Sequence, residues 1–146
     1  MPIDSFKPPY NWLSNFYKVD ITIDNITYPT IEHAFQAAKT DNTEDKIRIA
    51  STANPVVAKR LGKKVQLIDD WDNVRLEVMR ELIDIKFKND DLATKLIATG
   101  DEIIIEGNRW HDNFWGACSC NKCSDKIKHN RLGKLLMDKR DQLRKQ

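Results

Sequence analysis

Hydrophobic and polar positions alternate in one part of this chain and follow the helical period in most of the rest. Together these two patterns predict its strands and helices. Between Ile21 and Tyr28 apolar residues alternate with polar ones around Asp24-Asn25, a pair that tolerates positive φ, so a β-hairpin is expected. Most of the remaining chain follows the helical period. Helices are expected over Ile31 to Lys39, Thr43 to Ser51, Pro55 to Gly62, Asp69 or Asp70 to about Lys88, Asp91 to Ala98, and from Asn130 onward.

Two further segments complete the predicted order of elements. Residues Glu102 to Glu106 read as a strand, and a loop carries Asn108 to His129. The chain has no internal repeat and no flexible linker, and its 146 residues are enough to bury a core. The predicted class is therefore α+β: a mostly helical single domain, covering residues 1–146, with a small antiparallel sheet.

The longest predicted helix carries two cations on its apolar face. With about 100° per residue, Arg75 and Lys86 fall beside Met79 and Leu82 and away from the polar arc. A buried charge is costly unless it is paired or faces a polar cavity. Either the stems pack on the core while the charged heads reach solvent or a structural carboxylate, or both side chains point into a binding site.

A second polar stripe runs along the helix predicted from Ile31 to Lys39. Glu32, Gln36 and Lys39 are spaced i, i+4 and i+7, so they share one face. Such a stripe is typical of a solvated surface, and a functional site is the alternative. His33 on the same helix is expected to be a hydrogen-bonded histidine rather than a ligand or a base.

Composition and charge exclude few classes of protein, but they bear on the location and the binding partners of this chain. No apolar run approaches membrane-spanning length, and the N-terminus shows no secretory signal, so a cytoplasmic protein without a membrane partner is expected. Residues 126–146 contain eight basic and two acidic residues, a net +6 against −4 for the rest of a chain with net charge +2. This basic end would suit nucleic acid, or it is simply a solvated helix face.

The three cysteines lie close together in the predicted loop. An odd number argues against a disulfide scaffold and for a reducing compartment. Cys118, Cys120 and Cys123 with His111 or His129 would provide four zinc ligands, but the spacing matches no standard zinc finger. No metal or cofactor is predicted, and a structural zinc is the alternative.

An ordered series of motifs resembles the NADAR family. The segments that carry the resemblance are Leu13–Tyr17, Tyr28–Lys39, Ala58–Gly62, Trp71–Arg75, Lys86-Phe87, Leu96–Gly100, Ile104–Glu106, Asp112–Gly116, Asn130–Met137 and Arg140. Each motif is weak alone, but their order is specific, and the resemblance extends from about Phe6 to Leu143.

The resemblance implies an N-glycosidase that hydrolyses a ribose–base C–N bond. Within the family, the expected substrate is ADP-ribose attached to guanine in nucleic acid. Phosphoribosylamino-pyrimidine intermediates of riboflavin biosynthesis are the alternative substrate. A non-catalytic module that binds ADP-ribose is the alternative of another class.

Breaking a ribosyl C–N bond passes through a cation-like sugar, which needs negative charge or a nucleophile near C1′ and a proton donor for the base. A lysine in an apolar pocket would be a nucleophile that forms a Schiff base with the opened ribose, and direct attack by water is the alternative. The residues expected to be catalytic are Glu32, Asp112, and Lys39 or Lys86. Those expected to bind substrate are Asn15, Gln36, Trp71, Arg75, Glu106, Trp115 and Asn130.

Two of these carboxylates have a structural alternative. Asp112 lies in a loop, where aspartate commonly caps a turn. Glu106 ends the predicted strand after three isoleucines, so it would equally serve as a structural partner for Arg75 or Lys86.

Overall fold

A computed structural model describes residues 1–146 and shows six α-helices and four short strands. In chain order the elements are β1 (Ile21–Ile23), β2 (Ile26–Tyr28), α1 (Ile31–Ala37), α2 (Thr43–Ser51), α3 (Pro55–Gly62), α4 (Trp71–Lys86), α5 (Asp90–Ala98), β3 (Gly107–Asn108), β4 (Ala117–Cys118) and α6 (Arg131–Arg144). Short 3₁₀ turns cover Asn11–Leu13 and Asn121–Cys123. The chain forms two compact units, Asn15–Lys86 and Met1–Ser14 together with Phe87–Gln146.

The unit Asn15–Lys86 is built from the hairpin and the first four helices. β1 and β2 pair antiparallel, and Asp24 and Asn25 turn the chain with φ of 50° and 67°, as the predicted tight turn requires. Side-chain caps begin three of the helices: Thr30 caps α1, Asn42 caps α2 and Asn54 caps α3. The core of this unit includes Ile21, Ile31, Ala34, Ile49, Ala58, Met79, Leu82 and Ile83.

The other unit joins the N-terminal segment to the last third of the chain. Ile3 forms a parallel bridge with Ile104, and β3 pairs with β4 in parallel, with Asn108 opposite Cys118. α5 packs against α6, and Leu92, Leu96, Leu132 and Leu136 are buried. Burial of a leucine side chain contributes about 1.5–3 kcal/mol, so this helix pair holds the unit together.

The predicted class is confirmed: the chain is α+β, mostly helical, with a small antiparallel sheet. The strand predicted over Glu102 to Glu106 is wrong, since only Ile104 pairs with another segment and Ile103 is exposed. The short parallel pair β3–β4 was not predicted, because strands this short leave no alternation in the sequence. One domain over residues 1–146 stays a prediction. No helix has both the length and the apolar character needed to span a membrane.

Candidate active site

Helix α1 places a carboxylate inside the unit Asn15–Lys86. All seven residues of α1 are buried, including Glu32 and Gln36. Gln36 Nε2 donates a hydrogen bond of 2.8 Å to Glu32 Oε1. The expectation of a solvated face is therefore wrong for these two residues: α2, α3 and α4 pack around the short helix and cover its polar side as well.

His33 on α1 has a structural role. Its Nε2 lies 2.8 Å from the carbonyl oxygen of Thr52, which only accepts, so Nε2 carries the hydrogen and Nδ1 accepts from the Thr30 hydroxyl at 2.8 Å. Burial lowers the pKa of His33, which favours this neutral form. The expectation of a hydrogen-bonded histidine is confirmed.

Gly62 at the end of α3 sets the position of Gln36. A β-carbon at Gly62 would lie 2.8 Å from Gln36 Cδ and 2.9 Å from Gln36 Cβ, closer than carbon atoms pack. Because Gln36 Nε2 binds Glu32, the contact between α3 and α1 determines how the carboxylate is held.

The substitution Gly62→Ala should disturb this arrangement. Overpacking of this kind costs about 1–3 kcal/mol of unfolding free energy, and it should also move the Gln36 amide away from Glu32 and lower turnover. Urea unfolding and steady-state kinetics measure the two effects. Lys63→Ala, at the exposed next position, is the control and should change neither. Unaltered stability in Gly62→Ala would show that the helices shift apart freely.

Lys86 is the most unusual side chain of the unit. It ends α4 with 1% of its surface exposed, so its ammonium does not reach solvent, as snorkelling would require. Burial lowers the pKa of Lys86 to about 7. The Tyr17 ring lies 5.7 Å from Nζ and favours the charged form in part. Near neutral pH a large share of Lys86 is thus an uncharged amine, which is the nucleophilic form.

This pKa has a consequence for stability. The ordinary lysine pKa is 10.5. Between pH 7 and 10.5 the unfolded chain therefore binds one more proton at Lys86 than the folded chain, and the free energy of unfolding rises with pH by about 1.4 kcal/mol per unit. Urea unfolding of the wild type and Lys86→Met at pH 7, 8 and 9 should show this extra slope in the wild type alone. Lys88→Met, at an exposed position, should keep it. Parallel slopes in all three proteins would contradict a lowered pKa.

The segment Asn15–Tyr17 connects Glu32 to Lys86. The Asn15 carbonyl accepts from the Glu32 backbone N–H at 3.0 Å, and the Tyr17 ring contacts Lys86. Three residues span at most about 10 Å, so one short segment contacts both the backbone of Glu32 and the ammonium of Lys86. Asn15 Nδ2 donates to Met79 Sδ at 3.7 Å, while Asn15 Oδ1 is buried and makes no hydrogen bond. That oxygen is an acceptor suited to a ribose hydroxyl.

The other predicted residues of this unit are less enclosed or more clearly structural. Lys39 is half-buried, and burial lowers its pKa, with Glu32 acting in the opposite direction. Arg75 is 32% exposed, with Nη1 4.0 Å from Asp72 Oδ1. Trp71 is buried and packs against Phe35 with ring centroids 5.2 Å apart, which favours a core role over stacking on a base.

The unit Met1–Ser14 and Phe87–Gln146 holds the remaining predicted residues around Asn108. The Asn108 amide donates to Glu106 Oε2 at 2.9 Å and to the Asp112 carbonyl at 2.8 Å. Asn130 accepts from the Glu106 N–H at 3.0 Å and donates to the Ile104 carbonyl at 2.9 Å. Both ends of the Asn130 amide thus fix the backbone that carries Glu106.

Asp112 and Trp115 lie in the loop between β3 and β4. Asp112 Oδ1 accepts from the backbone N–H groups of Phe114 at 3.2 Å and Trp115 at 2.9 Å, which is the arrangement of the loop-cap alternative. Trp115 is partly exposed and packs edge-on against Phe114 with centroids 4.7 Å apart. The roles of both residues in catalysis or binding stay predictions.

Several cations of the basic end bind the chain itself. Arg140 is buried and donates to Thr99 Oγ1 at 2.9 Å, and Arg144 pairs with Asp101 at 3.0 Å. The Arg131 guanidinium lies 4.2 Å from the Phe114 ring centroid. These three arginines contact groups of the chain itself, so fewer cations of residues 126–146 are available to bind nucleic acid than their net charge suggests.

The sequence analysis did not single out two residues that contact predicted site residues, one in each unit. Tyr17 belongs to one of the motifs, but its contact with a lysine far along the chain leaves no local signal in the sequence. Asn108 lies at the start of the predicted loop, and its hydrogen bonds to Glu106 and Asp112 are seen only in the folded chain. The unit Asn15–Lys86 also has a surface groove of about 290 Å³, which is lined by Lys18, Pro29 and Thr52 among others. None of the predicted site residues lines this groove.

Comparison with known proteins identifies the family. The sequence model of a protein family described as the NADAR domain matches residues 4–144. An N-glycosidase of Nostoc punctiforme is 38% identical over 93% of this chain and 87% of its own length, and the N-glycosidase YbiA of Escherichia coli is 35% identical over 92% and 82%. A riboflavin biosynthesis protein of Vibrio vulnificus is 35% identical over 97% of this chain, which spans 38% of that protein.

A solved structure supports the same assignment. The NMR structure of the E. coli protein YbiA matches with a TM-score of 0.81 at 32% sequence identity, covering 99% of this chain and 84% of that one. The predicted family and the predicted class of enzyme are confirmed: the chain is an N-glycosyl hydrolase and belongs to the NADAR domain family.

Proposed function

We propose that this enzyme hydrolyses the bond between C1′ of ribose and a base nitrogen, and that it removes ADP-ribose from guanine in nucleic acid. The observation that carries the reaction type is a buried lysine with a pKa of about 7, joined to a buried glutamate by the segment Asn15–Tyr17. The choice of guanine rests on the family resemblance.

Lys86 is the better nucleophile of the two candidate lysines. Its side chain is fully enclosed, whereas Lys39 is half-buried and Glu32 favours its charged form. An amine attacks only when it is neutral, so the side chain with the stronger desolvation reacts faster at neutral pH.

The chemistry that follows requires no group from outside the chain except water. The ribose ring opens between C1′ and O4′ as O4′ takes a proton, which leaves C1′ doubly bonded to the base nitrogen. Lys86 Nζ adds to C1′, the base leaves with a proton on its nitrogen, and C1′ and Nζ form a Schiff base. Water then adds to C1′, Lys86 leaves as the free amine, and the sugar aldehyde closes to ribose.

Glu32 would move the protons of this reaction sequence. Its carboxyl would protonate the departing base and then accept a proton from the attacking water, and Gln36 keeps one carboxylate oxygen in position. Asn15 Oδ1 would accept a hydrogen bond from a ribose hydroxyl, which satisfies an oxygen that is otherwise buried without a partner.

A second substrate is favoured by one specific observation. The Vibrio vulnificus relative is named a riboflavin biosynthesis protein, and this points to phosphoribosylamino-pyrimidine intermediates. The two candidates share a ribose with a phosphate at its 5′ oxygen and a nitrogen at C1′. Lys86 as the nucleophile and Glu32 as the acid would therefore serve both substrates. A cytoplasmic location is proposed with either substrate.

A direct comparison of substrates tests the proposal. The purified protein is incubated with DNA carrying ADP-ribosylated guanine and, separately, with a phosphoribosylamino-pyrimidine, and the products are separated by liquid chromatography and mass spectrometry. Released ADP-ribose with restored guanine supports the first candidate, and released pyrimidine with ribose 5-phosphate supports the second. Tight binding of intact ADP-ribosylated DNA, without cleavage of either compound, would contradict the proposal and indicate a binding module.

A further inference from the structure

Four side chains capable of binding a metal converge in the unit Met1–Ser14 and Phe87–Gln146. They are the imidazole of His111 and the thiols of Cys118, Cys120 and Cys123, and their ligand atoms all lie within 4.8 Å of one another. Cys118 and Cys123 are buried, Cys120 is partly exposed, and all three are free thiols. The cluster is formed by groups that the proposed hydrolysis does not use.

Four of the six distances between the ligand atoms of the cluster are close to the edges of a tetrahedral site. His111 Nδ1 lies 3.3 Å from Cys123 Sγ, 3.3 Å from Cys120 Sγ and 3.9 Å from Cys118 Sγ, and the sulfurs of Cys118 and Cys120 are 3.3 Å apart. Bonds of about 2.3 Å to sulfur and about 2.0–2.1 Å to nitrogen place tetrahedral zinc ligands roughly 3.6–3.8 Å from each other. These four separations lie within about half an ångström of that spacing.

Hydrogen bonding does not account for the convergence. A neutral imidazole nitrogen carries either one hydrogen or one lone pair, so Nδ1 serves one partner, and a thiol is a weak donor and a weak acceptor. Three sulfurs nevertheless surround the same nitrogen of His111. A cation at the centre would satisfy all four groups at once.

The backbone holds each ligand in this arrangement. His111 has a φ of 70°, a left-handed conformation that is uncommon for a residue with a side chain and costs on the order of 1–3 kcal/mol. Cys118 is fixed by its pairing with Asn108 and by its N–H bond of 2.8 Å to Asn113 Oδ1. The N–H of Cys123 donates to the Cys120 carbonyl at 3.1 Å, so these two ligands share one turn.

From this geometry we propose that His111, Cys118, Cys120 and Cys123 bind one zinc ion through Nδ1 and three thiolates. Four protein ligands leave no open position for water or substrate, so the ion has a structural role. Three thiolates and Zn²⁺ leave one negative charge, and Lys128, whose Nζ donates to the Cys123 carbonyl, offers a compensating cation.

The zinc would stabilise the loop that carries Asp112 and Trp115. Backbone N–H groups at the start of α6 donate to carbonyls of this loop: His129 to Asn113 at 2.8 Å, Arg131 to Phe114 at 3.2 Å and Leu132 to Trp115 at 2.9 Å. Each of these bonds depends on the conformation of residues 109–130. A metal that cross-links His111 to Cys118–Cys123 fixes both sides of the loop.

Metal analysis of the purified chain tests the proposal directly. The untagged protein, expressed with zinc in the medium and dialysed against metal-free buffer, should contain one zinc per chain. Cobalt exchanged into the site should show the intense thiolate-to-metal absorption of tetrahedral coordination. Protein that holds far less than one zinc, whether its three cysteines titrate as free thiols or a pair is oxidised to a disulfide, overturns the proposal.

Variants assign the ligands. Cys120→Ser and His111→Ala should lose the zinc, and His129→Ala is the matched control, since His129 lies in the same segment outside the cluster. Removal of zinc with a chelator should increase tryptic cleavage at Lys122, Lys126 and Lys128 at least severalfold. Zinc retained by His111→Ala but lost by His129→Ala would overturn the ligand set, whatever the activity of these variants.

Discussion

Replacing Glu32 with glutamine should lower turnover by about 10²–10⁴-fold while the protein stays folded, because acid–base groups contribute rate factors of that size. Glutamine has nearly the same shape and retains an oxygen for the hydrogen bond from Gln36. It is unable to donate and accept a proton in turn. Chromatographic measurement of the released base gives kcat, and circular dichroism and urea unfolding report on the fold.

The control for this variant is Glu81→Gln on the exposed face of α4, which should keep full activity. The harsher change Glu32→Ala should also abolish turnover without unfolding the protein. Full activity in either Glu32 variant would remove this carboxylate from the mechanism. Loss of activity together with loss of the folded state would indicate that the carboxylate is needed for packing.

The second large effect is expected for Lys86→Met. Methionine matches the length of the lysine stem and the apolar surroundings at the end of α4, so activity should fall far more than stability. Loss of a covalent nucleophile costs up to about 10⁶-fold in kcat in well-studied enzymes, and a decrease beyond about 10³-fold is expected here. In the wild type kcat should rise with pH through about 7, as Lys86 loses its proton.

Chemical trapping separates the Schiff-base route from attack by water. Cyanoborohydride added during turnover should reduce the imine and leave a sugar adduct on the wild-type chain, and peptide mapping should locate it on Lys86. Lys88→Met should form the same adduct, whereas Lys86→Met should form none. An adduct on Lys39 would reassign the nucleophile, and active enzyme that never forms an adduct would favour direct attack by water.

Local signals in the sequence predicted most of the fold. The Asp24-Asn25 turn and the apolar periodicity depend on neighbouring residues, and the hairpin and the helices are found where they were expected. The strand at Glu102–Glu106 was wrong because its three isoleucines have strand propensity, while pairing depends on a partner. That partner is the segment around Ile3, which pairs at a single position.

The candidate site was predicted less completely, for a different reason. The apolar arc of α4 singled out Lys86 and Arg75 alike and left open whether their charged ends reach solvent. Lys86 is buried, whereas the Arg75 side chain is 32% exposed, and this difference depends on the elements packed against the helix. The burial of Glu32 and Gln36 was not expected, because a polar stripe looks the same whether water or other helices cover it. Tyr17 and Asn108 act through contacts that depend on the folded chain.

The bridge between Ile3 and Ile104 also constrains the order in which the molecule is completed during translation. Residues 15–86 are contiguous, so this unit has all of its parts as soon as that stretch has left the ribosome. The unit that holds the cysteines combines residues 1–14 with residues 87–146, which are separated by the whole of the other unit. Residues 1–14 must therefore wait until the segment around Ile104 has been synthesised, and the loop closed by Ile3 and Ile104 imposes an entropic cost that favours late formation.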